Sequence, residues 1–301
     1  MEQNIWNFVN FYWDFTINLN MGYIVRPATR KELEIMIEWA AKEGWNPGLY
    51  DGDAFHSIDN KGFLLGFLDN KPVTSISAVS YNKDFGFIGF YIAKPEHRGK
   101  GYGYKIWNEA LKYLSTQNVA LDGVVAQQEN YKKSGFKLAY RHIRYEGHGS
   151  DKKIKQNKNI ISLSKINIDL IHKYDKKIFL HDRIDFLKIW IKQPESLAIG
   201  YVKNKKLMGY GMVRKCRIGY KVGPLFADSK QIAKELFEKM TVFVGRKNLI
   251  YLDVPEPNKE ALELVKAYKM KPMFETARMY TKEFPKAPLN KIFGVTTFEV
   301  G

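Results

Sequence analysis

From Tyr23 onward, apolar and polar positions alternate in a readable way. Tyr23 to Arg26 predicts a short strand. Thr29, with Glu32 three residues later, has the spacing of a capping box and opens a helix that buries Leu33, Ile37 and Ala40 or Ala41. Gly44 to Gly48, read Gly-Trp-Asn-Pro-Gly, breaks that helix. Phe63 to Leu68 and Val73 to Tyr81 flank Asp69, Asn70 and Lys71, a hairpin signal, and Phe85 to Ile92 predicts a third antiparallel strand. Ile106, Trp107, Ala110, Leu111 and Leu114 recur at helical spacing, so a helix spans Gly101 to Leu114. A strand at Val119 to Asp122, a short helix near Asn130 to Ser134 stopped by Gly135, and a strand at Phe136 to Tyr145 complete this half. Residues 148–159 crowd Gly, Ser, Asp, Asn and Lys together with little to bury, which predicts a linker between domains at 21–147 and 160–301. Residues 1–20 are greasy but lack a cap, a turn signal or a period, and they are set apart as a leader segment without assigned function.

The two halves resemble each other. At an offset of 134, Gly66 meets Gly200, Asn70 meets Asn204, Lys71 meets Lys205, Tyr140 meets Phe274 and Arg144 meets Arg278; at 131, Leu121-Asp122 meets Leu252-Asp253. These matches fall in order on the same predicted elements, so the chain reads as a tandem duplication.

Composition narrows the classes. The 301 residues, 45% apolar, suffice for a core in each half, and no run approaches the roughly 18 apolar residues that span a bilayer. Nothing resembles a secretion signal, so the cytoplasm is the expected location and no membrane partner is expected. One cysteine, Cys216, and six scattered histidines give neither an internal disulfide nor a zinc pattern, and no metal is expected. The net charge of +16 is concentrated in the second half, which carries +15 over residues 151–301 against +3 over 21–150. A solvated lysine face accounts for this more simply than nucleic acid, for which no recognition motif is present.

The informative stretch is Phe87 to Leu114: an apolar strand, then Arg98-Gly99-Lys100-Gly101-Tyr102-Gly103, then an amphipathic helix. A glycine loop between a strand and a helix N-terminus gathers unpaired amides, and the helix dipole favours an anion there by about 0.3 to 1 kcal/mol. A dinucleotide fingerprint would need glycine at 104, where Tyr104 stands, and a Walker A motif fails because Gly99-Lys100 is followed by Gly101. Spacing alone leaves a phosphate cradle and a ligand-free glycine turn both open.

Arg98, Gly101 and Gly103 fill the [QR]xxGx[GA] signature of the GNAT acetyltransferases, and Tyr91 to Pro95 resembles the end of that family's fourth strand. Asn130 to Phe136 resembles a second family motif, so the resemblance covers most of residues 23–145 and, with the repeat, points to a two-domain bacterial subgroup. It implies a mixed, mostly antiparallel α/β (α+β) sheet flanked by helices, present twice in tandem. It also implies acetyl-CoA as cosubstrate, its diphosphate on the loop amides of Gly99, Lys100, Gly101, Tyr102, Gly103 and Tyr104 with Arg98, and its pantetheine along Tyr91, Ile92 and Ala93, with Asn130 alongside. Tyr131 resembles the family's acid, a phenol protonated at pH 7 that donates to the leaving thiolate. Trp45, Asn46, Tyr50 and Asp51 occupy the region where such enzymes line the amine pocket, although Asn46-Pro47-Gly48 is also an ordinary turn.

An amine acceptor must lose a proton before attack. A lysine-like amine is neutral for only roughly 0.04% of the time at pH 7, so a base is useful. Asp84, Glu96 and Asp122 are candidates by position, and the sequence does not choose among them. The second half lacks the loop: Ile232, Glu235 and Phe237 stand opposite Arg98, Gly101 and Gly103. It is expected to bind no cofactor and to wall the acceptor site or support a homodimer. The function expected is N-acetyl transfer to a primary amine, with acyl-CoA sensing as the alternative.

Overall fold

The structure, a computed structural model, describes residues 22–301, so the leader assigned to residues 1–20 lies outside the described residues. The first half runs β1 (Tyr23–Pro27), α1 (Leu33–Lys42), α2 (Asp51–His56), β2 (Phe63–Leu68), β3 (Lys71–Ser80), β4 (Phe85–Ala93), α3 (Tyr102–Tyr113), β5 (Asn118–Val124), α4 (Gln128–Lys133) and β6 (Lys137–His148). The second half repeats the order with β7 (Ile160–Ser162), α5 (Ile168–Phe179), α6 (Ile184–Trp190), β8 (Ser196–Lys203), β9 (Lys206–Lys215), β10 (Tyr220–Ala227), α7 (Lys230–Val244), β11 (Leu249–Pro255), α8 (Lys259–Ala267) and β12 (Lys271–Tyr280), followed by β13 (Ile292–Gly294).

Local sequence signals operate as chemistry requires. The Thr29 amide donates to the Glu32 carboxylate at 2.9 Å and the Glu32 amide to Thr29 Oγ1 at 3.2 Å, a reciprocal capping box. Asp69 and Asn70 take φ of 49° and 62°, the left-handed pair that a tight hairpin turn demands. α2 was not anticipated, because six residues are too few to display helical periodicity.

Among the described residues the sheet order is β1-β2-β3-β4-β5-β12-β6-β11-β10-β9-β8-β7, with β13 on β10. Only the β4–β5 and β10–β11 pairs are parallel. The fold is therefore the expected mixed, mostly antiparallel sheet flanked by helices. Its centre differs from two sheets standing side by side, because the last strands are exchanged. β12 of the second half inserts between β5 and β6, and β6 of the first half lies between β12 and β11. Residues 149–158 carry neither helix nor strand, and the sheet continues across the halves they connect.

The repeated residues noted in the sequence meet at this seam, crosswise. Arg278 on β12 holds Asp122 on β5 through two bonds of 2.8 and 2.7 Å, and Arg144 on β6 holds Asp253 on β11 at 2.6 and 2.8 Å. Both carboxylate side chains are buried, and such bidentate pairs are strong and geometrically specific. One face of the sheet carries a core shared by both halves, in which Phe55 of α2 stacks on Trp190 of α6 at 5.9 Å. Burying each such ring contributes about 1.5 to 3 kcal/mol, so this face welds the halves together. The other face packs α3 against the first half and α7 with α8 against the second.

Candidate active site

Gly99 and Gly101 adopt φ of +75° and +82°, a left-handed conformation that costs an L-residue about 1 to 2 kcal/mol. The turn aims the main chain at solvent: the amides of residues 99–104 have no hydrogen-bond partner among the described residues, the first helical bond being Lys105 to the Gly101 carbonyl at 3.1 Å. Gly99, Gly101, Gly103 and Tyr104 of this loop line a cleft of about 500 Å³ together with Tyr91, Ala93 and Arg98. Arg98 anchors the loop to the strand end, donating through Nε to the Ala93 carbonyl at 2.9 Å and pairing with Glu43. His97 is half-buried and lines the same cleft.

The cleft leads into a gap in the sheet. β4 and β5 pair only from Phe85 to Ile88 against Asn118 to Leu121, and then diverge. The Lys94 amide donates to Val73, so antiparallel alternation turns Ile92 toward β3 and presents main-chain groups of Tyr91 and Ala93 to the gap. Ile92 lines the cleft beside them. Phe90, at φ 47°, sits at the bulge that splays the strand.

A smaller cavity of about 70 Å³ fills the gap and reaches both faces of the sheet. On the α3 side lies Tyr131 of α4, buried and stacked on Trp107 at 5.4 Å. Burial, with Tyr91 adding to it, pushes the Tyr131 phenol well above its ordinary value, so it remains a proton donor at neutral pH. On the opposite side lie Trp45, Asp122, Phe274, Phe298 and Glu299. Trp45 borders both cavities, and its carbonyl is fixed by Arg144 at 2.7 Å and the buried Lys221 at 3.1 Å.

Other expected residues lie elsewhere. Asp51 is fully buried and pairs with Arg214 at 2.8 and 3.1 Å, a fold-holding contact between the halves. Tyr50 is exposed and bonds Glu195 at 3.0 Å, and Asn46 clasps the main chain of Ile218. None of the three borders either cavity, because the Gly44–Gly48 turn directs them at the second half. Asn130 is exposed and bonds Gln127, Tyr102 packs tilted against Tyr23, Lys100 is exposed, and none of the three lines the cleft. Among the proposed bases, Asp84 and Glu96 border neither cavity. Asp122 does, yet Arg278 and His142 hold its carboxyl well below the usual carboxylate range despite burial, which makes it a poor base.

Sequence reasoning missed Glu299. It is buried, and neither carboxylate oxygen has a partner among the described residues. Its segment is seated on the first half: Ser77 Oγ donates to the Glu299 carbonyl at 3.1 Å and the Tyr81 hydroxyl to the Val300 carbonyl at 2.7 Å. Gly89 is required there, since a Cβ would overlap that Glu299 carbonyl. No periodicity or motif marks residues 295–301, so only the folded chain brings Glu299 to β4.

At the matching place in the second half, α7 starts with its N-terminus capped by Ser229 Oγ on the Ile232 amide, and Ile232 and Phe237 are buried in its own core. No three His, Cys, Asp or Glu side chains among the described residues are placed to hold a metal ion, and no helix there is long and apolar enough to cross a membrane.

Residues 28–136 match the family model described as acetyltransferase (GNAT) family, and residues 171–294 match one described as acetyltransferase (GNAT) domain. Holothin acyltransferase of Pseudoalteromonas sp. (strain SANK 73390) is 31% identical over 276 residues, covering 92% of this chain and 94% of that protein. The crystal structure of a putative acetyltransferase from Pyrococcus horikoshii superposes with a TM-score of 0.79 at 25% identity, over 99% of this chain and 100% of that one. A tandem GNAT protein from the clavulanic acid biosynthesis pathway shares the fold, with a TM-score of 0.61 at 11% identity over 88% of this chain and 100% of that one. With the glycine loop, the splayed strands and the repeated architecture, these matches establish that the chain belongs to the GNAT acetyltransferases and is a two-domain acyltransferase.

Proposed function

We propose that the protein transfers an acetyl group from acetyl-CoA to a primary amine by direct attack on the thioester. The observation that carries this reading is the row of unpartnered amides at residues 99–104, opening on a cleft that runs into the β4–β5 gap and ends beside Tyr131. The amides and the α3 N-terminus suit a diphosphate, while Tyr91 and Ala93 offer main-chain groups to a pantetheine arm. A main-chain N–H at the β4 bulge would receive the developing oxyanion, and the Tyr131 phenol would protonate the departing sulfur. The similarity to an enzyme called an acyltransferase supports transfer rather than storage of the acyl group.

The second half, on this reading, binds no cofactor. It contributes β12, the Arg278 clamp on Asp122, and the wall formed by Phe274, Phe298 and Glu299. The cytoplasm, where acetyl-CoA is made and consumed, is the proposed location.

The test pairs calorimetric titration with acetyl-CoA and thiol release in the presence of a panel of primary amines. Binding with turnover is expected, and Tyr131→Phe should lower kcat by about 10²-fold or more while leaving the affinity for acetyl-CoA intact. Tight binding without thiol release for any amine, together with indifference to Tyr131→Phe, would overturn the transfer reading in favour of a sensor.

A further inference from the structure

Glu299 is a buried carboxylate with both oxygens unpartnered among the described residues, in a cavity of about 70 Å³ that it shares with Tyr131 on the other side of the β4–β5 gap. An unsatisfied buried carboxylate is costly, so its persistence at a cavity wall asks for a guest that donates to it. The guest would meet the aromatic side chains of Trp45, Phe274 and Phe298 around the same space. Aromatic faces around a carboxylate suit an organic ammonium, which both attract.

The surrounding charges leave this task to Glu299. Asp122 on β5 is committed to Arg278 and His142, and on the neighbouring strands Arg144 is committed to Asp253 and Arg214 to Asp51. Lys221 on β10 is buried and directs its ammonium to the Trp45 carbonyl. Burial lowers the Lys221 pKa and Arg144 lowers it further, with Glu299 opposing; Glu299 also faces Arg144 and Arg214, and of these three cations Lys221 is the one without a carboxylate partner among the described residues. The backbone holding Glu299 is tied at several points, because its own amide and that of Val300 donate to Thr297 Oγ1 at 2.8 and 3.2 Å.

We infer that Glu299, carried by the second half into the site of the first, takes the proton of a compact primary ammonium whose apolar body lies against Trp45, Phe274 and Phe298. This rests on the acetyl-transfer reading and names its substrate class. One ammonium proton passes to Glu299 and leaves to solvent after turnover. The freed nitrogen lone pair forms the C–N bond at the thioester carbonyl carbon, and the C–S bond breaks. Tyr131 gives its proton to the sulfur and recovers the second proton from the nitrogen, so the products are amide, free thiol and one released proton. The aromatic wall of Trp45, Phe274 and Phe298 commits the acceptor to a compact amine rather than a peptide.

The test compares wild type with Glu299→Gln, an isosteric change, and with Glu299→Asp. The probes are benzylamine, hydroxylamine and a lysine-containing pentapeptide, each with saturating acetyl-CoA. Hydroxylamine is small and already neutral at pH 8, so it needs no base. Glu299→Gln should lower kcat/KM for benzylamine by about 10² to 10⁴-fold. It should leave hydroxylamine turnover and acetyl-CoA affinity within a few-fold of wild type, and Glu299→Asp should regain part of the benzylamine rate. In the variant, log kcat/KM for benzylamine should rise with pH across the whole range below the amine's own pKa. Equal loss for benzylamine and hydroxylamine, or no loss for either, would show Glu299 to be only the counter-charge of Lys221 and overturn the base. Turnover of the pentapeptide, or of hydroxylamine but not benzylamine, by wild type would overturn the substrate class while leaving acetyl transfer standing. Absence of acetyl-CoA binding in wild type would instead overturn the underlying reading.

Discussion

Replacing Gly101 by valine tests the diphosphate cradle without dismantling the fold. Gly101 has φ +82°, where an L-residue costs about 1 to 2 kcal/mol, and a Cβ built there meets nothing within 4 Å. The variant should therefore fold, with a modest drop in urea midpoint. The ligand side is different. The amides of residues 99–104 are unpartnered among the described residues, with Gly99, Gly101, Gly103 and Tyr104 lining the cleft, and a hydrogen bond to a charged group is worth about 1.5 to 3 kcal/mol. A branched side chain that holds the diphosphate away from two of them should cost about 3 to 6 kcal/mol, or about 10² to 10⁴-fold in Kd. Calorimetry with CoA reads this directly. Pantetheine, which has no diphosphate, should bind wild type and variant alike, and Lys100→Ala, which keeps every amide, should change CoA affinity little. A CoA affinity unchanged in Gly101→Val would refute the cradle.

Arg278→Met leaves Asp122 buried with only His142 beside it, which should cost about 3 to 5 kcal/mol in urea unfolding; a second change, Asp122→Asn, should restore part of it. Gly89→Ala should push away the Glu299 carbonyl and its segment, lowering kcat/KM for amines in thiol-release assays while CoA affinity measured by calorimetry stays near wild type. His181 stacks on Phe85 at 3.9 Å, and burial together with Arg183 lowers its pKa to about 4. Because the folded value lies below the unfolded one of about 6.5, the stabilisation is present above pH 6.5 and lost as the pH falls toward 4. Solvent screening at a partly exposed ring limits the effect to about 1 to 2 kcal/mol, and His181→Leu should flatten that part of the thermal-denaturation profile between pH 7 and pH 5.

What could be read in advance was local. The capping box at Thr29 and Glu32, the Asp69-Asn70 turn and the glycine loop at residues 99–103 are each encoded within a few residues, because backbone sterics and nearby hydrogen bonds decide them. The short helix that carries Tyr131 was legible for the same reason, lying in a short recognisable run. The duplication was legible too, and the repeated Asp and Arg residues proved to be the clamps of the seam.

The side of the gap opposite Tyr131 was not legible. Asn46, Tyr50 and Asp51 lie close after Trp45, yet the turn sends them to the second half while Trp45 alone of the four enters the gap. Glu299 reaches Gly89 and Ser77 across more than two hundred residues of chain. By itself the amino-acid sequence determined the elements, their repeat and the loop that can hold a diphosphate, since those depend on contacts close along the chain. Which strand completes which half, and which carboxylate faces the gap, was decided by the tertiary structure. Strand exchange at β12 and β6 depends on edges that exist only once both sheets have formed, and a buried carboxylate finds its surroundings only after the core has closed.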